Sequence, residues 1–172
     1  DIDPDDPEDL DMPFWVTAHE MGHQWWPHQV SGGNVQGSGF LSEGLAEYSA
    51  VSLLEKEKGE KQLRKFLKYE LDKYLMGRYS EQKFEPTIVQ TENHPYIHYN
   101  KAGLMMYTLS DFIGKDVFNS VLGRFIDKFR YQSNPYTNIG EFVKTIREDT
   151  PDDLQYLITD TFEKITLYEN KA

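Results

Sequence analysis

"VTAHEMGHQWWPHQVSGGNVQGSGFLSEGLAEY", residues 16–48, places two patterned stretches on either side of a run rich in glycine and serine. Upstream, Pro13 suits the first turn of a helix. From Phe14 and Trp15 through Ala18, Met21, Gly22 and Trp25, small or apolar residues recur at the three-to-four spacing of one helix face. Pro27 removes a backbone donor and stops that helix near residue 26. The loop at 31–39, "SGGNVQGSG", holds neither a helix nor a good strand. Downstream, a second helix is expected from Leu41 to Lys58, mixing core and surface positions, until Gly59 breaks it. The stretch therefore reads as two helices facing each other across an irregular loop.

Working outward, the same helical period continues. A third helix is expected over 60–75, with Leu63, Phe66, Leu67, Glu70, Leu71 and Tyr74 at helical offsets. Residues 77–95 lose the period, and "TIVQT" at 87–91 reads as a short extended piece before a turn at Asn93–Pro95. A further helix is expected from Tyr99 to Ile113 through Ala102, Met105, Met106, Leu109 and Phe112. Three more follow near 115–131, 137–148 and 151–168, with Asp116, Asn138 and Asp152 close to their starts. The expected fold is mainly α with little or no sheet. Residues 1–12 form an acidic, exposed lead-in, and 13–172 a single helical domain.

The bulk numbers bound the function. At 172 residues the chain is long enough for one domain with a real core. Eleven Tyr, ten Phe and three Trp argue against disorder. A formal net charge of -11 disfavours nucleic acid, whose phosphates are held mainly by Lys and Arg. There is no cysteine, so a metal site has to use histidine and carboxylate ligands. That donor set suits zinc with one open position better than a closed structural site. No apolar run approaches the length of a membrane span. The chain starts without Met, and an excised domain or a processed product is expected.

On a helix, residues four apart project from nearly the same face. His19 and His23 can therefore aim ring nitrogens at one ion, with Glu20 flanking them as an acceptor for a water proton. Zinc lowers the pKa of a bound water from 15.7 to about 7, so a neighbouring carboxylate can generate hydroxide at neutral pH. A catalytic zinc site usually has three protein ligands. Glu43 is the expected third; His28 competes, but sits beyond Pro27 and off the His19/His23 face. Glu47, one turn after Glu43, is placed to accept a hydrogen bond from a ligand histidine and fix its tautomer. The bland alternative is two ordinary histidines on an amphipathic helix, and the ordered Glu43 and Glu47 weigh against it.

"VTAHEMGHQWW…FLSEGLAEY" resembles the gluzincin zinc metallopeptidases of the aminopeptidase N type, whose pattern is H-E-x-x-H, Gln-Trp, an aromatic, and a downstream Asn-Glu-Gly. The resemblance implies a thermolysin-like helical catalytic domain holding one zinc ion per chain, with His19, His23 and Glu43 as ligands and Glu20 as general base. "YIHYNKAGLMMYTL" resembles the family's Tyr-x-Lys-Gly, which implies that Tyr99 donates its phenol to the oxyanion of the tetrahedral intermediate; Tyr96 is the alternative phenol. The implied activity is zinc-dependent peptide hydrolysis, most simply of the aminopeptidase type. The rival expectation is a peptidase-like module that binds peptide or a partner without turning it over. The likeness also extends to peptidase-like domains attached to bacterial transporter permeases, which implies a membrane-associated parent.

Three features depart from the family pattern. Nineteen residues separate His23 from Glu43 where eighteen are usual, and the irregular loop is expected to absorb the extra one. The Gly-x-Met-Glu-Asn strand that helps bind a substrate's amino terminus is absent, which leaves exo- against endopeptidase action open. Ala102 interrupts Tyr-x-Lys-Gly, with Gly103 directly after it.

Overall fold

A computed structural model describes residues 3, 5, 6, 9–81 and 83–168. Helix α1 spans Met12–Gly22; Asp11 caps it by accepting the Phe14 amide at 3.2 Å. Helix α2 spans Leu45–Ser80 and bends at Gly59, where φ is 79°. There follow α3 (Ala102–Ile113), α4 (Lys115–Phe129), α5 (Ile139–Asp149) and the single turn α6 (Gln155–Ile158). Among the described residues the only β feature is an isolated bridge between Gly32 and Thr137. The helical fold read from the sequence is the observed one.

Helix α2 is the spine, with α1 packed on one side and α3 on another. The approach of α1 is close because Gly22 lacks a side chain. A Cβ there would lie 3.0 Å from the Ala46 Cα, inside van der Waals contact. Below this pair sits an aromatic core. Phe40, Phe125, Phe142 and Phe162 are fully buried, with ring centroids 5.1–6.2 Å apart in edge-on and tilted pairs. The described lead-in residues run along the exposed side of α2, where Asp11 meets Lys58 at 2.9 Å and Asp5 meets Lys61.

Four expectations about elements are corrected. Helix α1 ends at Gly22, not near 26; the chain turns over 23–29, leaving Trp25 exposed and swinging Trp26 into the core. Helix α2 runs on to Ser80 through Gly77, whose missing side chain lets Tyr96 pack against the helix, and the positive φ at Gly59 bends the rod without ending it. "TIVQT" is not extended: Ile88–Gln90 form one 3-10 turn that buries Ile88. The last expected helix is broken into the 3-10 turn Asp152–Leu154, α6 and a π turn, and is over by Glu163. Asn138 caps α5 by accepting the Glu141 amide at 3.2 Å, as its position at the helix start suggested.

Candidate metal centre

His19 and His23 stand one turn apart on α1, and each has its Nδ1 committed elsewhere. His19 Nδ1 donates to Glu47 Oε2 at 3.0 Å, and His23 Nδ1 donates to the Trp26 carbonyl. With Nδ1 of each ring so engaged, the two Nε2 atoms are left to face a common point. Glu43 supplies the third atom there: its Oε2 lies 3.3 Å from His19 Nε2 and 3.3 Å from His23 Nε2. All three candidate ligand atoms fall within 4.8 Å of one another.

That geometry can be tested against an ion. Zinc–nitrogen and zinc–oxygen bonds of about 2.0–2.1 Å at tetrahedral angles put neighbouring ligand atoms about 3.3 Å apart. Both nitrogen–oxygen separations meet that value. Two imidazoles and one carboxylate also make up a donor set zinc uses when a fourth position stays open. The residues fit the metal.

Glu43 lies on a π turn, Phe40–Gly44, that opens directly into α2. Tyr99 lies on a second π turn, Ile97–Lys101, that opens into α3. Widened turns of this kind are frequent at functional sites, and no residue pattern had announced them. Tyr99 faces Glu43 and stacks on the His19 ring, centroids 5.6 Å apart. Burial first and the Glu43 carboxylate second push the Tyr99 phenol up to about 12, so it stays protonated at neutral pH. Burial would raise Glu43, but hydrogen bonds from His19 and Tyr99 and the His23 charge outweigh it and hold the carboxyl down at about 2. Burial likewise pulls the His19 imidazole down, while Glu43 and Glu47 outweigh it and hold it at about 9. Glu43 and Glu47 supply the negative charge against which a cation could be held here.

Glu47 is fully buried and is the link that orients His19. Its Oε1 accepts from the Trp15 indole at 3.0 Å, while Oε2 takes the imidazole. Gly103 leaves room for it: a Cβ there would lie 2.9 Å from Glu47 Cγ. Ala102 in turn packs its methyl towards Gly44, so the shift of glycine by one place costs the site nothing visible. Removing the carboxylate while keeping the shape should loosen the metal. Glu47→Gln is expected to weaken zinc binding about 10- to 100-fold in a competition titration with a chelator; unchanged affinity would show that His19 needs no such partner.

Glu20 is exposed on α1 and lines two cavities that meet at His23 and Glu43. The larger, about 550 Å³, is walled by Met21, Gln24, Pro27 and His28. The smaller, about 230 Å³, is walled by Trp15, Val16 and Tyr99. A bound chain can thus pass on both sides of the candidate metal position. His28 donates Nδ1 to the His23 carbonyl at 2.6 Å, and lies outside the ligand cluster. Tyr96 points away and donates to Glu81, which leaves Tyr99 as the phenol at the site.

The family model described as "Peptidase family M1 domain" matches residues 7–162. Among solved structures, an M1 zinc metallopeptidase from Deinococcus radiodurans superposes with a TM-score of 0.68 at 20% identity, over 90% of this chain and 34% of that one. A mutant of an M1 zinc metallopeptidase from the same organism, bound to a Tyr-Ser-Ala substrate, gives 0.66 at 20% identity over the same shares. A two-domain M1 zinc metallopeptidase mutant bound to L-tryptophan gives 0.66 at 19% identity, again over 90% and 34%. No curated protein matches the chain. The chain spans about a third of the length of the solved structures it matches.

Proposed function

The chain belongs to peptidase family M1, and from that premise we propose that it is a zinc-dependent peptidase unit of the gluzincin, aminopeptidase N type. The observation that carries the reading is the convergence of His19 Nε2, His23 Nε2 and Glu43 Oε2 beside an exposed Glu20. Zinc held by these three side chains supplies Lewis-acid polarisation of a water and of the scissile carbonyl. Glu20 accepts the proton of the attacking water and hands it to the departing amine nitrogen. Tyr99, a protonated phenol held over His19, donates to the carbonyl oxygen as that oxygen gains charge. Glu47 keeps the His19 ring in register throughout. On the same reading the domain works as part of a larger, membrane-associated bacterial protein; no helix among the described residues is long and apolar enough to cross a bilayer itself.

The test pairs metal content with turnover. Purified chain supplied with zinc is expected to hold one ion per molecule by elemental analysis. It should cleave alanine peptides with free amino termini faster than acetylated ones. Equal cleavage of both would make it an endopeptidase. Stoichiometric zinc with no cleavage would make it a peptide-binding module, and failure to hold zinc would remove the site.

A further inference from the structure

The π turn that carries Glu43 and the π turn that carries Tyr99 pack directly on each other, and two glycines make the contact. Gly39 precedes the turn Phe40–Gly44, and Gly44 ends it. Both have helical angles that any residue adopts: φ is -59° and ψ -31° at Gly39, and φ is -65° and ψ -36° at Gly44. Neither glycine is there for its backbone freedom, and each weakens a helical turn relative to alanine. What they share is a missing side chain where the Tyr99 turn approaches.

The space is filled from that other turn. A Cβ on Gly39 would lie 2.4 Å from both Nδ1 and Cε1 of His98, and a Cβ on Gly44 would lie 2.9 Å from that of Ala102. His98 directly precedes Tyr99 in the turn Ile97–Lys101, and Ala102 directly follows that turn. The two turns therefore meet at both ends, with Glu43 between the contacts on one side and Tyr99 on the other. At the Gly39 end a ring edge rests on a bare Cα. His98 is buried, and its Nε2 has no hydrogen-bond partner among the described residues. An unpaired buried nitrogen is a cost, so what the ring contributes here is its shape.

We propose that His98 is a positioning residue: its ring, seated on Gly39, sets the separation of the two turns and so fixes the reach of the Tyr99 phenol relative to the Glu43 carboxylate. The inference rests on the zinc-peptidase reading, in which Glu43 holds the metal and Tyr99 meets the carbonyl oxygen. A methyl added to Gly39 would need the ring to retreat by about 1 Å to reach ordinary contact. The root of the ring, Cγ, would itself be only 3.0 Å away, so rotating the ring does not clear the methyl and the turn has to move. A misplacement of about 1 Å between reacting groups costs about 100-fold in rate.

The experiment uses the zinc-loaded chain and the variants Gly39→Ala, His98→Ala and the two combined. It reads zinc affinity by competition with a chelator, kcat and KM on a fluorogenic alanine pentapeptide, and the thermal midpoint of each variant. Each single change is expected to weaken zinc by about tenfold or more and to lower kcat by about tenfold or more with KM within about threefold. In the combined variant the new methyl enters the space that the ring vacates, so zinc affinity and kcat should both exceed those of either single variant by about threefold or more. His98→Ala, which adds no clash, decides if Gly39→Ala does not fold. Zinc affinity and kcat within twofold of native in His98→Ala, whatever its thermal midpoint, would overturn the positioning role. So would a combined variant no better than the single ones. A native chain that holds zinc but cleaves nothing would end the peptidase reading alone, and the zinc affinities would still decide whether His98 spaces the turns. A native chain that holds no zinc would remove the site and the positioning role with it.

Discussion

Glu20→Gln in the zinc-loaded chain is expected to lower kcat by about 100- to 10,000-fold, the usual span for loss of a general base, with one zinc per chain retained. The retention follows from geometry. Glu20 is exposed at the junction of two cavities and lies outside the cluster formed by His19, His23 and Glu43, so its charge is not needed to close the ligand set. The amide keeps the shape of the carboxylate and cannot accept a proton at neutral pH. KM should therefore change far less than kcat, because the lost interaction belongs to the transition state alone. Zinc analysis and peptide kinetics on one preparation check both halves. Full turnover would assign the proton transfer elsewhere, and loss of zinc would make Glu20 part of the metal's support.

The clustering of His19, His23 and Glu43 was legible in the sequence because its information is local. Helix geometry alone brings His19 and His23 to one face, and Glu43 and Glu47 open the next helix four residues apart. What the spacing did not carry was the means of delivery. Between the two pairs the chain departs from a regular helix, in the turns over 23–29 and the π turn at 40–44. Residue type did not mark either π turn, because both pass through side chains that an ordinary helix accepts equally well.

Tertiary contacts account for the other differences. Trp25 and Trp26 have the same propensities, and only the sharp turn after His23 determines which of them enters the core. "TIVQT" has the composition of a strand but no strand beside it, so it closes into one turn and buries Ile88 alone. Glu70 is the instructive case. It sits on the apolar stripe of its helix between Phe66 and Tyr74, where an exposed acid would break the pattern. Taken as a violation of the stripe, it marks a buried acid. Taken as one surface residue among 29 acids, it passes unnoticed.

Lys101 is the second residue whose burial the pattern did not announce, and its removal should be the costliest change to stability away from the ligands. The ammonium is buried against Glu85, with both side chains 2% exposed, and lies 5.6 Å from the centre of the Tyr74 ring. Tyr74 also donates to Glu85 at 2.8 Å, so the carboxylate is held by a cation and a phenol with almost no water. Lys101→Met fills the same volume but leaves Glu85 with the phenol. Stranding one partner of a buried pair costs roughly 3–5 kcal/mol, read as a large fall in the urea midpoint at pH 7. Replacing both, Lys101→Met with Glu85→Gln, removes the stranded charge and should recover most of that loss, since an apolar and a neutral polar group need no counter-ion. A double-mutant cycle measures the coupling directly. If the single change costs under about 1 kcal/mol, the pair is a passive contact. A double variant no better than the single one would mean that Lys101 holds the Tyr99 turn by shape and not by charge.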